Sequence, residues 1–199
     1  MRSSVVVVHP RVPAKNLKEL AGLAKAKPGE LTYASSATPG QLAGELFKIV
    51  ANVKMLHVPY KGGGPAVIDL VGGHVDLMFS SVPTAVPMVK AGKLRAIAVA
   101  GLSRVPALPG VMTSKESGFP DLDVTGWYGL SVPASTPKDV VAKLNRDLIN
   151  ALKTPVVIDR FVAGGLEPKA SSPEQMTTVI KTDLARWGRV VKTAGLKAQ

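Results

Sequence analysis

The chain has 199 residues, 46% of them hydrophobic, enough to bury the core of one domain or of two small ones. Its 25 Lys and Arg against 14 Asp and Glu give a formal charge of +11 and a pI near 10.0. The absence of cysteine excludes disulfides and thiolate metal sites, and no apolar run is long enough to span a membrane. The basic residues are scattered singly rather than gathered in an Arg-rich run, and aromatic residues are only 5%. That argues against a base-stacking surface and a nucleic-acid partner, and suits small acids or anionic surfaces.

In chain order, Arg2 and Val5–Val8 look faintly like a leader, but the run is too short and His9-Pro10 interrupts it. A mature or shortened chain is expected, with Val5–Val8 as a buried strand. Asn16 caps a helix to about Ala26, closed by Lys27-Pro28-Gly29. Leu31–Ser35 reads as a strand, and Gly40–Asn52 as a helix with Leu42, Leu46, Phe47 and Val50 on one face. Met55–Tyr60 is a strand, and Lys61-Gly-Gly-Gly-Pro65 opens a helix to about Val71. Asp76–Ser80 and Leu94–Ala100 are strands on either side of a short helix at Thr84–Lys90. Strand and helix alternating over short connections predict an α/β fold with a parallel sheet covered by helices.

Beyond Gly101 the rhythm changes. Ser103–Gly110 is a Pro-rich loop, Thr113–Gly118 a short helix, and Val124–Val132 a long strand holding Trp127 and Tyr128. Helices follow at Pro137–Leu152, Pro155–Ala163 and Pro173–Ala194, each with Pro in its first turn and with Thr136, Thr154 and Ser172 as caps. This pattern divides the chain into a complete lobe over residues 11–95. Residues 1–10 and 96–199 then supply crossover strands and the C-terminal helical part of a second lobe.

The most telling segment is Leu31–Phe47, a strand ending in Tyr33-Ala-Ser-Ser36, a tight turn, then an amphipathic helix. Pro39 suits the first helical position, and Ser36 or Thr38 can cap the amides before it. A helix start exposed at a strand end captures a carboxylate or phosphate through backbone N–H groups and its dipole. In Lys61-Gly62-Gly63-Gly64 the Lys precedes the glycines, so this is not a Walker loop. It is either a flexible turn or a second backbone rim of the same cleft, since both turns follow the carboxyl ends of strands.

Other chemistry is thinly represented. His9, His57 and His74 are too scattered for a metal site, and His57 in its apolar strand reads as a satisfied structural residue. Asp69 and Asp76 make no matched acid–base pair, and Ser80 and Ser81 lack the flanking glycines of a nucleophile elbow. Neither an enzyme nor a cofactor is expected. Ser80 and Ser81 either turn hydroxyls into the crevice or simply end their strand, and Trp127 and Tyr128 either pack in the core or line the cleft.

Several blocks, in order and at similar spacing over nearly the whole chain, resemble the Bug-type substrate-binding proteins of tripartite tricarboxylate transporters. They are Tyr33-Ala-Ser-Ser36, Leu42-Ala-Gly-Glu-Leu-Phe47, His57-Val-Pro-Tyr-Lys-Gly62, Asp76-Leu-Met-Phe79 and Ala91-Gly-Lys-Leu-Arg-Ala96. Gly126-Trp-Tyr-Gly-Leu130, Val132-Pro-Ala134, the Pro137 helix and the Trp187 helix continue the likeness. The resemblance implies a periplasmic protein of the type II binding-protein fold. Its two α/β lobes close over a small organic acid and deliver it to the membrane components of the transporter. It also implies that one strand-to-helix turn of each lobe holds the carboxylate, here the turn Ser35–Gln41. Ser35, Ser36, Ala37, Thr38, Gly40 and Gln41 then form one anion rim, and Tyr60, Lys61, Gly62, Phe79, Ser80 and Ser81 shape the rest.

The chain departs from the family pattern in two ways. Family members carry a further segment before Val5, with the first lobe's strands and its own carboxylate turn. A truncated or domain-swapped, non-binding assembly is therefore the alternative, with self-association through the apolar faces of the helices from Pro137 onward. Locally, Gln41 stands where His is common and Ser80 where many relatives have Asp. The second difference points to a plain or aromatic carboxylic acid rather than an amino acid.

Overall fold

The computed structural model describes residues 3–196, so Arg2 lies outside the described residues. The strands are β1 (Ser4–Val8), β2 (Thr32–Ser35), β3 (Leu56–Pro59), β4 (Leu77–Ser81) and β5 (Arg95–Ala100). All five residues of β1 are buried, as a run of valines demands when neither face of the strand meets water. The sheet order is β3-β2-β4-β1-β5. It is mixed rather than wholly parallel: β2 runs parallel to β3 and β4, whereas β1 is antiparallel to both β4 and β5. Alternation of strand and helix in the sequence carries no information about order, and here β1 lies between two strands that come much later in the chain. A register shift between Val6 and Val7 bends β1 against β5.

The helices of this part are α1 (Leu17–Ala26), α2 (Thr38–Ala51), α3 (Gly63–Gly72) and α4 (Val82–Lys90). Asn16 caps α1 as expected, its Oδ1 accepting the Glu19 amide at 2.9 Å while Glu19 accepts the Lys15 amide at 2.7 Å. Along the sheet the side chains alternate between faces. Val5, Val7, Ala34, Met78 and Val99 pack with Ala66 and Leu70 of α3, Val82 and Ala85 of α4, and Val105 and Leu108 of the following loop. On the α2 side, the rings of Phe47 and Phe79 lie 6.2 Å apart, and those of Phe47 and Phe119 6.0 Å apart.

The chain packs as two units, Ser3–Thr125 with the residues from Val190 onward, and Gly126–Arg189. Thr113–Gly118 is a hydrogen-bonded turn rather than a helix. It is pinned by the Val99–Thr113 bridge and by Glu116, which accepts the Thr113 amide at 2.8 Å. The Arg104 guanidinium, with that amide, holds the Glu116 carboxyl down at about 2. Val124–Val132 forms no strand, because among the described residues no neighbouring strand offers it a ladder.

The second unit is helical, with α5 (Lys138–Ala151), α6 (Pro155–Ala163) and most of α7 (Pro173–Thr193). Only Ser172 acts as expected among the three caps. It exchanges bonds with Gln175, Oγ accepting one amide at 3.2 Å and Gln175 Oε1 the other at 2.9 Å. At α5 the cap position falls on Pro137 rather than Thr136, and the Thr154 hydroxyl turns back to the Ala151 carbonyl. Trp127 and Tyr128 are not core residues: both are exposed, and the Trp127 indole N–H donates to Asp183 at 2.7 Å. No residue from 126 to 189 is buried.

Helix α2 lies on β2 through one close approach. A Cβ on Gly44 would come within 2.6 Å of Cδ2 and Cζ of the fully buried Tyr33 ring, and closer still to Cε2. Gly44→Ala is therefore expected to destabilise the protein by at least about 2 kcal/mol, as overpacking against an immovable ring does. A urea-unfolding midpoint equal to wild type would show that the ring yields.

Candidate functional site

The carboxyl ends of the parallel strands β2, β3 and β4 lie along one edge of the sheet, and each leads directly into a helix. Those three helices share a property that α1 and α7 lack. None of α2, α3 and α4 has a side-chain cap or an acidic residue in its first turn, whereas α1 has both, with Asn16 and Glu19. Their positive dipole ends are thus left without an internal counter-charge at the edge where ligands of open α/β sheets bind.

The β2–α2 turn shows how the sequence builds this. Thr38 is itself the first helical residue, so the cap position falls on Ala37, whose side chain has no acceptor. Neither Ser36 nor Thr38 caps the helix. Gly40 and Gln41 donate back to the Ala37 carbonyl at 3.0 and 3.3 Å, and Pro39 has no amide. Among the described residues no acceptor takes the amides of Ser36, Ala37 or Thr38. These three consecutive donors stand without an acceptor at the helix start, where the dipole favours an anion. Ala37, Thr38 and Pro39 are exposed, and Ser36 is half-buried.

Beneath the turn sits Ser35, which is buried and supports the rim rather than forming it. A Cβ on Gly40 would lie 3.3 Å from Ser35 Cβ and 3.5 Å from the Phe79 carbonyl oxygen, so the first turn of α2 rests on the ends of β2 and β4. The Ser35 carbonyl accepts the Tyr60 amide at 2.8 Å, which ties in the β3–α3 turn. The structure thus brings together Ser35, Gly40, the Phe79 backbone and Tyr60. The Tyr60 hydroxyl donates to Asp69 at 2.7 Å, and that bond, with burial as the larger cause, raises its pKa to about 12. Lys61 is exposed, and Gly62 occupies the cap position of α3 with open space where a Cβ would stand.

The two serines ending β4 differ. Ser80 alternates with Phe79, so it points to the opposite face; it is 1% exposed, with its hydroxyl donating to the Ser81 carbonyl at 3.3 Å. Ser81 is half-buried, caps α4 by position, and its hydroxyl pairs with that of Thr84 at 2.7 Å. Asp76 is fully engaged in structure, accepting from Arg11 at 2.8 Å and from the Thr32 amide and hydroxyl at 2.8 and 2.9 Å.

A buried polar cluster lies behind the turn, and the sequence reading passed over it. The Tyr33 hydroxyl donates to Glu45 at 2.6 Å, and Lys48 bonds the two Glu45 oxygens at 2.9 and 2.8 Å. Burial, then the carboxylate of Glu45, pushes the Tyr33 hydroxyl well above its ordinary range. The ring of His57 stacks on Tyr33 at 4.9 Å, and its Nε2 lies 2.7 Å from Ser35 Oγ. The signal was available as Glu45 and Lys48 three residues apart, with Glu45 set among the apolar residues of α2.

Residues 1–196 match the family model described as the tripartite tricarboxylate transporter family receptor. The chain belongs to that family. It is 33% identical to BugT of Bordetella pertussis over 97% of this chain and 60% of BugT. Rpa4515 of R. palustris, solved with adipate, is 33% identical with a TM-score of 0.84, covering 98% of this chain and 66% of that one. MatC of Rhodopseudomonas palustris, with bound malate, is 30% identical with a TM-score of 0.78, over 96% and 66% of the two chains. The periplasmic binding protein BugD is 32% identical with a TM-score of 0.81, over 100% and 68%. The Bug-type resemblance and the α/β binding-protein fold read from the sequence both hold. The chain spans about 60% of the length of BugT.

Burial lowers the pKa of His57 as the larger cause, with Glu45 opposing and Lys48 assisting. A base whose folded pKa lies below its unfolded one contributes stability that is complete above the unfolded value, about 6.5. That stability is lost as pH falls through the folded value. The thermal midpoint is expected to fall as pH drops below about 6.5, and His57→Phe is expected to flatten that fall. The same pH profile in wild type and variant would show that His57 is not the group responsible.

Proposed function

We propose that this chain acts as an extracytoplasmic solute-binding receptor that captures a small organic carboxylate and presents it to the membrane components of a tripartite tricarboxylate transporter. The observation that carries the reading is the β2–α2 turn, where the amides of Ser36, Ala37 and Thr38 have no acceptor at an uncapped helix start free of acidic residues. A carboxylate seated there accepts charge-assisted hydrogen bonds from the backbone and meets the positive end of α2. Gln41, Tyr60, Lys61, Gly62 and Ser81 border the same sheet edge and supply further contacts. Lys61 and the basic surface raise the local concentration of acids. A receptor of this kind does no chemistry on its ligand. Support comes from family membership and from the relatives solved with adipate and with malate. Dicarboxylates of that size are the ligands of choice for a test, and a periplasmic site of action follows from the same kinship.

A second reading is favoured by one observation. No residue from 126 to 189 is fully buried, and Tyr128, Leu130, Val156 and Leu184 are each at least 66% exposed. In that reading copies of the chain associate through these side chains and the assembly is structural. Light scattering on the purified chain would find an oligomer indifferent to added acid.

Titration calorimetry with adipate and malate tests the receptor reading, using Thr38→Pro as the diagnostic variant. Proline is tolerated at the first helical position, so the substitution removes one amide of the rim without disturbing the helix. It is expected to weaken binding by roughly 1–3 kcal/mol with the thermal midpoint near wild type. Unchanged affinity in this variant would move the site away from the turn.

A further inference from the structure

From the contacts around Ser35 we infer that His57 is a positioning residue for the anion turn, fixing through Ser35 the direction in which the amides of Ser36, Ala37 and Thr38 point. The inference rests on the receptor reading for what the turn binds, but its geometry stands apart from it.

Ser35 is the last residue of β2 and the one from which the three amides hang. It is held in three ways. Its carbonyl accepts the Tyr60 amide at 2.8 Å. Gly40 closes over its Cβ so tightly that an added methyl group would stand at 3.3 Å. The third hold is the 2.7 Å bond between its hydroxyl and Nε2 of His57. Ser35 is only 4% exposed and its hydroxyl is bonded to the half-buried His57 ring, so its effect on binding runs through the backbone that follows.

His57 can hold Ser35 because it is itself clamped. The parallel register sets His57 opposite Tyr33, not Ser35. Its ring lies on the Tyr33 ring at 4.9 Å with 29° between planes, and so reaches two residues along β2 to the strand end. Tyr33 cannot turn away, because its hydroxyl is bound to Glu45, which Lys48 pairs in turn. Glu45 and Lys48 stand on α2, the helix whose amino end forms the rim. The contacts close a loop: β3 holds β2, β2 holds α2, and the end of β2 is locked beneath the start of α2. A serine hydroxyl both donates and accepts, so the bond to Nε2 forms with either tautomer of a neutral ring.

The test is a double-mutant cycle on the full chain, read by adipate titration calorimetry and by backbone amide NMR. His57→Phe keeps a ring to stack on Tyr33 and removes the bond; Ser35→Ala removes the other partner; His57→Gln restores a donor and acceptor. Each of the first two is expected to weaken adipate binding about ten-fold, and the double variant no further, because both delete one interaction. His57→Gln is expected to recover most of that loss. Adipate affinity equal to wild type in His57→Phe, or losses that multiply in the double variant, overturns the inference. Should His57→Phe fail to fold, Ser35→Ala against His57→Gln carries the comparison.

Without ligand, the amide resonances of Ser36, Ala37 and Thr38 are expected to shift in both His57→Phe and Ser35→Ala, and unchanged resonances overturn the inference. This arm separates the two ideas. A wild-type chain that binds neither adipate nor malate removes the carboxylate reading, while the amide shifts still decide whether His57 sets the turn.

Discussion

The approach of α2 to β2 over the Tyr33 ring is the constraint on which the site depends. The ring is fully buried and leaves no room for a side chain at position 44. Only glycine lets a helix backbone come this close, and its cost in helix propensity, about 1 kcal/mol, is offset by what the approach makes possible. Glu45 reaches the Tyr33 hydroxyl only because its neighbour is flush with the ring. The carboxylate of Glu45 would be expensive inside the protein without two partners, and Tyr33 and Lys48 supply them. The depth and rotation of α2 are thereby fixed, and with them the position of its amino end over Ser35.

Fixing a helix start matters because the binding groups are backbone amides, which cannot adjust as a side chain does. Such donors keep their directions only if the residues carrying them keep one conformation, and Ala37, at the cap position, is extended with a φ of −168°. The chain leaves these donors open by withholding the usual partners. The cap position has a methyl group where α1 and α7 have Asn and Ser, and no acidic side chain lies in the first turn of α2, α3 or α4. A capping oxygen would take one of these amides for itself. The basic balance of the chain works in the same direction at longer range.

Legibility from the sequence followed the range of the interaction concerned. Asn16 and Ser172 were readable as caps because the partner in each case lies three residues away. Val5–Val8 was readable as buried because no polar residue interrupts it. The cap of α2 was misread by one residue: the rule that a polar side chain takes the cap fails where the helix starts on Thr38 and leaves the position to Ala37. Val124–Val132 has the composition of a strand, but a strand needs a neighbour, and composition cannot supply one. The antiparallel placement of β1 and the sealing of Ser80 on the far face were equally out of reach, since both depend on which strands meet. His57 was legible as a satisfied residue but not as a partner of Ser35, because its bond crosses from one strand to the end of the next.

The two units differ in what stabilises them, and that difference bears on the site. In Ser3–Thr125 the helices cover a sheet whose central strand is wholly buried. In Gly126–Arg189 side chains at the surface are joined by bonds such as Lys143 with Asp147 at 2.8 Å and Trp127 with Asp183 at 2.7 Å. Exposed bonds of this kind are screened by solvent and contribute far less than a buried apolar face supplies. The amphipathic helices α5 and α6 have no fully buried residue. Every residue of the anion turn, from Ser35 to Gln41, and both neighbouring turns belong to the sheet-based unit. The geometry proposed to bind a carboxylate therefore rests on the sheet-based, well-packed part of the chain.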